Sequence, residues 1–331
     1  MTNSAGKGPR LRPLFTLTIA ACAAGVIYLG LGYYIYLQLA RGSYGHGAND
    51  GNTPAGFHLN WDDYPDFDVT PYLCPDYQDV MIVGGDPGID LAGWWIPGGV
   101  GESAIILCHG IHSSKANDTL LVVAGMLHRN GYGVLLFDYR DHGLSSQEDG
   151  MISLGVREYR DIIAVFEWLV QEKKIPASKI GLYGLSMGGG YAAAAFMEDQ
   201  RIPAVVMESP YAHLQMIIEE ELARNGFPKW LSHGAILSAR LRTGDNLMSK
   251  PPLDAVGRSN GRPMLVIHGI ADSRVGVHHS QMMVDQAELK QVSLTSWLVE
   301  DLEHIEAPIA FPLRYEKTLV DFYAQALKSV R

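Results

Sequence analysis

Gly184-Leu185-Ser186-Met187-Gly188-Gly189-Gly190 separates a short apolar run, Lys179 to Tyr183, from an alanine-rich one, Met187 to Met197. The first run reads as a buried strand and the second as a tightly packed helix. A serine on the sharp turn between them has the layout of a nucleophile elbow. Such a turn forces strained backbone angles on the serine. Gly184 and Gly188, two residues to either side, lack the side chains that would keep strand and helix apart. The strain holds the hydroxyl above the sheet, and the helix N-terminus behind it offers N–H groups to a developing negative charge.

Outward from this stretch, the pattern alternates between strands and helices. Upstream, Tyr77–Val83 and Leu91–Ile96 flank a Gly-Pro-rich loop and read as a hairpin. Ser103–Cys108 and Gly133–Asp138 are continuous apolar runs, as in strands buried on both faces. Helical spacing covers Thr119–Arg129 and a stretch from about Val156 to Lys173. Downstream come a strand at Ala204–Glu208, another at Met264–His268, a helix over His278–Leu289, a strand at Val292–Val299 and a closing helix from Ile309 to Leu327. Between them, residues 211–261 carry two helical patterns (Leu214–Arg224 and Lys229–Leu241) and no buried strand. The expected fold is α/β: a mostly parallel, doubly wound sheet with a small helical lid, since open sheets hold ligands at the C-terminal ends of their strands.

A serine hydroxyl becomes a nucleophile when a neighbouring base takes its proton and a carboxylate orients that base. Elbow enzymes carry these groups in the order serine, acid, histidine. Asp272 follows the strand Met264–His268, and His304 follows Val292–Val299, so both fall at the sheet edge that carries Ser186. Asp301 and Glu303 are weaker rivals for the acid because they neighbour the histidine in sequence. An oxyanion hole needs one N–H after the nucleophile, supplied by Met187. It needs a second from the loop after the third strand, where Ile111 is the first candidate and His112 the alternative. Gly110 lets that loop pass close to a substrate.

From about Tyr77 to Leu327 the chain resembles an α/β-hydrolase-fold serine hydrolase, and is most similar to the membrane-anchored or secreted group related to prolyl-oligopeptidase-like and acylglycerol-lipase-like enzymes. The matching pieces are Leu91-Ala92-Gly93-Trp94-Trp95-Ile96-Pro97, His109-Gly110, Phe137-Asp138-Tyr139-Arg140-Asp141-His142-Gly143, Gly184 to Gly189 and His268-Gly269-Ile270-Ala271-Asp272. The resemblance implies Ser186 as nucleophile, Asp272 as acid, His304 as base, and Met187 with Ile111 as oxyanion donors. One departure is Asp141, where relatives usually have glycine. Cleavage of an ester or thioester is the expected activity, with an oligopeptidase-like peptidase as the enzymatic alternative. A non-catalytic binding module on the same fold is the reading from another class.

Composition and the N-terminus bound the setting. A net charge of −10 offers no basic stripe for nucleic acid. Three cysteines make no disulfide framework. His109/His112 and His278/His279 lack the helical spacing of a zinc motif, so no metal and no cofactor is expected; His109 and His142 read as braces for loops. Asn117-Asp118-Thr119 fits a glycosylation sequon. Lys7, Arg10 and Arg12 precede Leu14–Ala40, an uncharged segment long enough to cross a hydrocarbon core of about 30 Å. Tyr28, Tyr33, Tyr34 and Tyr36 cluster toward its far end like an interfacial belt. A cleaved signal peptide or a lipoprotein box at Ile19–Cys22 fits less well, since the apolar run continues beyond both. The expected organisation is a cytoplasmic tail (1–13), a single-pass anchor (14–40), a stalk (41–75) and an extracytoplasmic catalytic domain (76–331) with its lid at about 211–261. The stalk is expected to become ordered as it meets the domain, since Trp61, Tyr64, Phe67 and Tyr72 suggest that its second half packs. Apolar lid positions Leu214, Ile217, Ile218, Trp230, Ile236 and Leu237 are candidates for lining an acyl site; the sequence implies no oligomeric state.

Overall fold

The computed structural model describes residues 12–99 and 103–327. Lys7, Arg10 and the expected tail up to residue 11 lie outside the described residues. The chain forms two compact units: Ala40–Ile217 with Leu247–Arg331, and Met1–Leu39 with Ile218–Asn246.

The larger unit is built on an eight-stranded sheet. Its strands are β1 (Gln78–Val83), β2 (Asp90–Ile96), β3 (Ala104–Cys108), β4 (Gly133–Phe137), β5 (Ile180–Leu185), β6 (Val205–Glu208), β7 (Met264–Gly269) and β8 (Leu294–Val299). They lie in the order β8-β7-β6-β5-β3-β4-β2-β1. β2 runs antiparallel to both its neighbours, and all other pairs are parallel. Every residue of β3, β4, β5 and β7 is buried, because helices cover both faces. Helix α2 (Asp118–Arg129) packs with α9 (Ala307–Ala310) and α10 (Pro312–Ala326). On the other side α3 (Glu158–Gln171), α4 (Met187–Glu198), α7 (Pro252–Gly257) and α8 (His278–Lys290) pack in succession. The single closing helix expected from Ile309 is therefore two, because Pro312 has no N–H to continue a helix and starts a new one instead.

The expected stalk docks in its first half as well as in its second, where Trp61, Tyr64, Phe67 and Tyr72 pack on the core as expected. Ser43–Tyr44 pairs with His142–Gly143, and the Ile152 amide donates to the Ala40 carbonyl at 2.7 Å. Farther on, Asn52 donates to the carbonyls of His58 and Ala116, and the Trp61 indole donates to Thr119. Phe57, Tyr72 and Cys74 join the main core. Asp141 holds the start of this segment. Its φ of 59° is a conformation that favours glycine. Its buried carboxylate accepts from Tyr44 Oη at 3.1 Å and from the amides of Glu148 and Gly150 at 2.8 and 3.0 Å. The aspartate thus trades backbone strain for three hydrogen bonds. Asn117 of the sequon is half-buried and caps α2 by accepting from the Leu120 amide.

Beside this segment the Phe137–Gly143 stretch buries two cations. Lys115, 1% exposed, places Nζ 2.5 Å from Asp138 Oδ2. Arg140 forms a fork on Asp161, with Asp86 and Glu148 also in reach. Removing one partner of a buried pair leaves the other charge without compensation. Asp138→Ala is expected to cost about 3–5 kcal/mol, read from urea unfolding, whereas loss of the exposed Lys317–Asp321 pair should cost well under about 1 kcal/mol.

In the smaller unit, α1 (Arg12–Ala40) is long and apolar enough to cross a membrane, and most of its length is exposed. Helix α6 (Leu231–Thr243) packs against it. Helix α5 (Leu214–Arg224) straddles the boundary between the two units.

Candidate active site

Ser186 sits between β5 and α4 with φ 57° and ψ −121°, a strained conformation for a residue with a side chain. Its amide donates to the Glu208 carbonyl at 2.7 Å, and its carbonyl accepts from the Gly189 amide. The neighbouring glycines are required by contact. A Cβ on Gly188 would overlap the carbonyls of Cys108 and His109, and one on Gly184 would overlap the backbone of Gly188. β5 lies between β3 and β6, with Gly184 opposite both Cys108 and Met207. The turn therefore emerges at the middle of the sheet.

His304 and Asp272 meet Ser186 there. His304 Nε2 lies 2.8 Å from Ser186 Oγ, and Nδ1 lies 2.7 Å from Asp272 Oδ2. A carboxylate can only accept, so Nδ1 carries the proton and Nε2 is left to accept from the serine hydroxyl. Asp272 Oδ1 accepts from the amides of Arg274 and Val275 at 2.9 and 2.7 Å. Burial pushes this carboxyl up, yet the hydrogen bonds from His268, His304 and the Val275 amide outweigh burial and hold it below the usual carboxylate range. Of the rival acids, Glu303 instead accepts from Ser273, and Asp301 is exposed.

Two buried groups beyond the expected set support this line. His268 Nε2 lies 3.1 Å from Asp272 Oδ2 and 2.7 Å from the Val275 carbonyl, so it carries the proton, while Nδ1 accepts from Ser280 Oγ at 2.6 Å. His268 was legible only as a strand residue; its position four before the acid was the available signal. Glu208 is the other. Its Oε2 accepts from Tyr315 Oη at 2.9 Å, Tyr315 is also bonded to Tyr183, and Glu208 Oε1 has no partner among the described residues.

Burial, with the Asp272 charge adding to it, pushes the Glu208 carboxyl well above the usual range despite the Tyr315 hydrogen bond. Such a group keeps its proton in the folded chain after the unfolded chain has released it. Its contribution to stability is full below the unfolded value near 4.5 and falls as pH rises above it, by about 1.4 kcal/mol per pH unit. Glu208→Gln removes that slope. Urea unfolding should show the variant close to wild type at about pH 4.5 and more stable than wild type at about pH 8. A pH-independent difference would contradict the neutral-acid assignment.

The loop after β3 approaches the serine from the other side. A Cβ on Gly110 would stand 3.4 Å from Ser186 Cβ and 3.9 Å from Oγ. His109 Nδ1 lies 2.8 Å from the Gly110 carbonyl, and Nε2 accepts from the Tyr139 amide at 3.5 Å. Burial and the neighbouring His142 lower the His109 pKa to about 3, so it stays neutral in this tautomer. Because a trans peptide points its C=O and N–H in opposite directions, holding the Gly110 carbonyl toward His109 turns the Ile111 N–H away from it. Met187 opens α4, so its amide is among the first four without an intrahelical acceptor.

The fold and the Ser–His–Asp arrangement place the chain in the α/β-hydrolase class of serine hydrolases. A profile of the prolyl oligopeptidase family matches residues 122–330, and the chain belongs to that family. An uncharacterised 31.7 kDa Escherichia coli protein is 31% identical over 135 residues, 41% of this chain and 46% of its own length. The chain therefore spans less than half of that relative. An uncharacterised Mycobacterium tuberculosis protein is 30% identical over 219 residues, 65% of this chain and 69% of its own. The solved structure of the Pyrococcus furiosus esterase Pf2001 is similar with a TM-score of 0.62 at 25% identity, covering 83% of this chain and 100% of that one.

Proposed function

We propose that this chain is a membrane-anchored serine hydrolase that cleaves an ester or thioester through Ser186, His304 and Asp272. The observation that carries the reading is the unbroken line Asp272 Oδ2–His304–Ser186 Oγ at 2.7 and 2.8 Å. Ser186 Oγ attacks the carbonyl carbon as His304 Nε2 takes its proton; the carbonyl π electrons move to oxygen, which the Met187 and Ile111 amides stabilise. The tetrahedral intermediate collapses, the leaving group departs with the proton from His304, and an acyl-enzyme remains. Water, deprotonated by His304, then releases the acid and regenerates the serine. Asp272 stays ionised throughout and stabilises the imidazolium, while His268 and the Arg274 and Val275 amides keep it in place.

Ester cleavage is favoured by likeness to the Pyrococcus esterase, and family membership supports a peptidase as the second reading. A panel of short-chain esters, thioesters and aminoacyl amides separates them: the ester reading requires kcat/KM on esters to exceed that on amides of matched acyl groups. Labelling by a fluorophosphonate in wild type and not in Ser186→Ala tests the catalytic class against a non-catalytic module. The anchor reading places the N-terminus in the cytoplasm and the catalytic unit outside it. A reporter fused after Gly42 should accordingly be active only as an extracytoplasmic fusion, and a cytoplasmic signal would reverse the orientation.

A further inference from the structure

We infer that α6 is a second membrane element, lying beside the anchor helix with its exposed face in the headgroup and upper acyl region of an anionic bilayer; this rests on the anchor reading of α1. Three features carry the inference, all within the unit formed by Met1–Leu39 and Ile218–Asn246.

The first is how closely α6 follows α1. A Cβ on Gly32 would overlap the backbone of Gly234, and one on Gly234 would stand 3.3 Å from the Gly32 Cα. Small residues at such a crossing let two helix backbones approach in an apolar medium. The contact extends along both helices. Tyr28 stacks on Trp230 with ring centroids 5.5 Å apart and donates to the Trp230 carbonyl, while Ser238 Oγ donates to the Leu29 carbonyl. The α1 residues in this contact, Tyr28, Leu29 and Gly32, open the second half of the apolar span, the half that carries the tyrosines of the expected membrane–water interface.

The second is the exposed face. Phe227, Trp230, Leu237 and Leu241 are exposed, and from Trp230 onward they follow a helical spacing along the side of α6 turned away from buried Leu231, Ala235 and Ala239. Trp230 and Leu237 were candidates for lining an acyl site; both are exposed, and Trp230 stacks on Tyr28 of α1. The third is charge. In a chain of net charge −10, residues 226–244 contain Lys229, Arg240 and Arg242 and no acidic residue. Aromatic and leucine side chains interspersed with basic ones mark a helix that lies in an anionic interface, with the cations reaching phosphate and the stems packed on acyl chains.

The test uses the full chain in lipid nanodiscs containing phosphatidylglycerol. Cys22→Ser removes the exposed cysteine, and Cys74 and Cys108 are buried. Single cysteines replace Leu237, Val26 as the reference within α1, or Met81 as the reference on the sheet edge, each carrying an environment-sensitive fluorophore. Brominated lipid should lower emission at Leu237 and Val26 by about twofold or more and leave Met81 unchanged, while iodide should quench Met81 alone. Iodide quenching at Leu237 with lipid quenching at Val26 would overturn the inference and leave the anchor standing. Iodide quenching at both would overturn the anchor reading along with it. Replacing phosphatidylglycerol by phosphatidylcholine should reduce lipid quenching at Leu237 but not at Val26; equal quenching in both lipids would overturn the anionic preference.

Discussion

Ser186→Ala should reduce kcat on an activated ester by about 10⁵- to 10⁶-fold while the protein still unfolds cooperatively. His304→Ala should lose a similar amount, and the double variant little more than either single one, because nucleophile and base act as one unit. Asp272→Asn should lose about 10⁴-fold, since an amide can present its NH₂ to Nδ1 and stabilise the tautomer with Nε2 protonated. The folded chain makes these readouts clean. Ser186 makes its structural contacts through the backbone, to Glu208 and Gly189, so truncating the side chain leaves them intact. Asp272 is different. Its two backbone amide contacts hold the loop after β7, so Asp272→Asn is expected to lose some stability as well as rate. Steady-state kinetics and thermal unfolding on each variant separate the two effects. A Ser186→Ala protein with unchanged hydrolysis would end the mechanism proposed here.

Much of this arrangement was legible because parallel strands all end on the same edge. Once β5, β7 and β8 were read as strands of one parallel sheet, the residues following them were neighbours by topology, whatever their distance in sequence. Ser186, Asp272 and His304 needed no further information to be grouped. The buried supports needed more. His268 and Glu208 lie inside strands, where a polar residue among apolar ones could face a core, a helix or the site. Only the pairing of Glu208 with Tyr315, 107 residues away, distinguishes these cases. In segment 41–75 the aromatic residues signalled that the second half packs, and Trp61, Tyr64, Phe67 and Tyr72 do pack on the core. The first half was hidden for another reason: it docks through single hydrogen bonds, such as those of Asn52, which leave no period in the sequence. Asp141 illustrates the difficulty: in the sequence it showed only as a departure from the glycine usual in relatives. Its carboxylate instead ties Tyr44 to the Glu148–Gly150 loop.

Gly188→Val should abolish the native fold, whereas Gly110→Ala should keep the fold and lose activity. At Gly188 any Cβ meets two backbone carbonyls, of Cys108 and His109, at the point where α4 crosses the end of β3. Neither carbonyl can rotate away as a side chain would. β3 is hydrogen-bonded to strands on both sides, and the Gly110 carbonyl that follows is held by His109. Relief therefore means moving α4, a helix whose residues from Met187 to Met197 are all buried, and breaking the packing on both of its sides. An effect above about 4 kcal/mol is expected, seen as loss of the cooperative transition in urea. At Gly110 the nearest atoms to an added methyl are the Leu185 carbonyl and Ser186 Cβ, both at 3.4 Å, an ordinary contact. The methyl occupies space beside the nucleophile instead of the space of a neighbouring strand. Gly110→Ala should therefore unfold within about 1 kcal/mol of wild type and still lose about 10²-fold or more in kcat, as displacement of an oxyanion donor does. On the proposed mechanism the contrast separates two jobs of glycine: Gly188 lets the elbow form, and Gly110 leaves room for the substrate. If both variants lost stability equally, the loop after β3 would be a packing element, and the second oxyanion donor would have to be sought elsewhere.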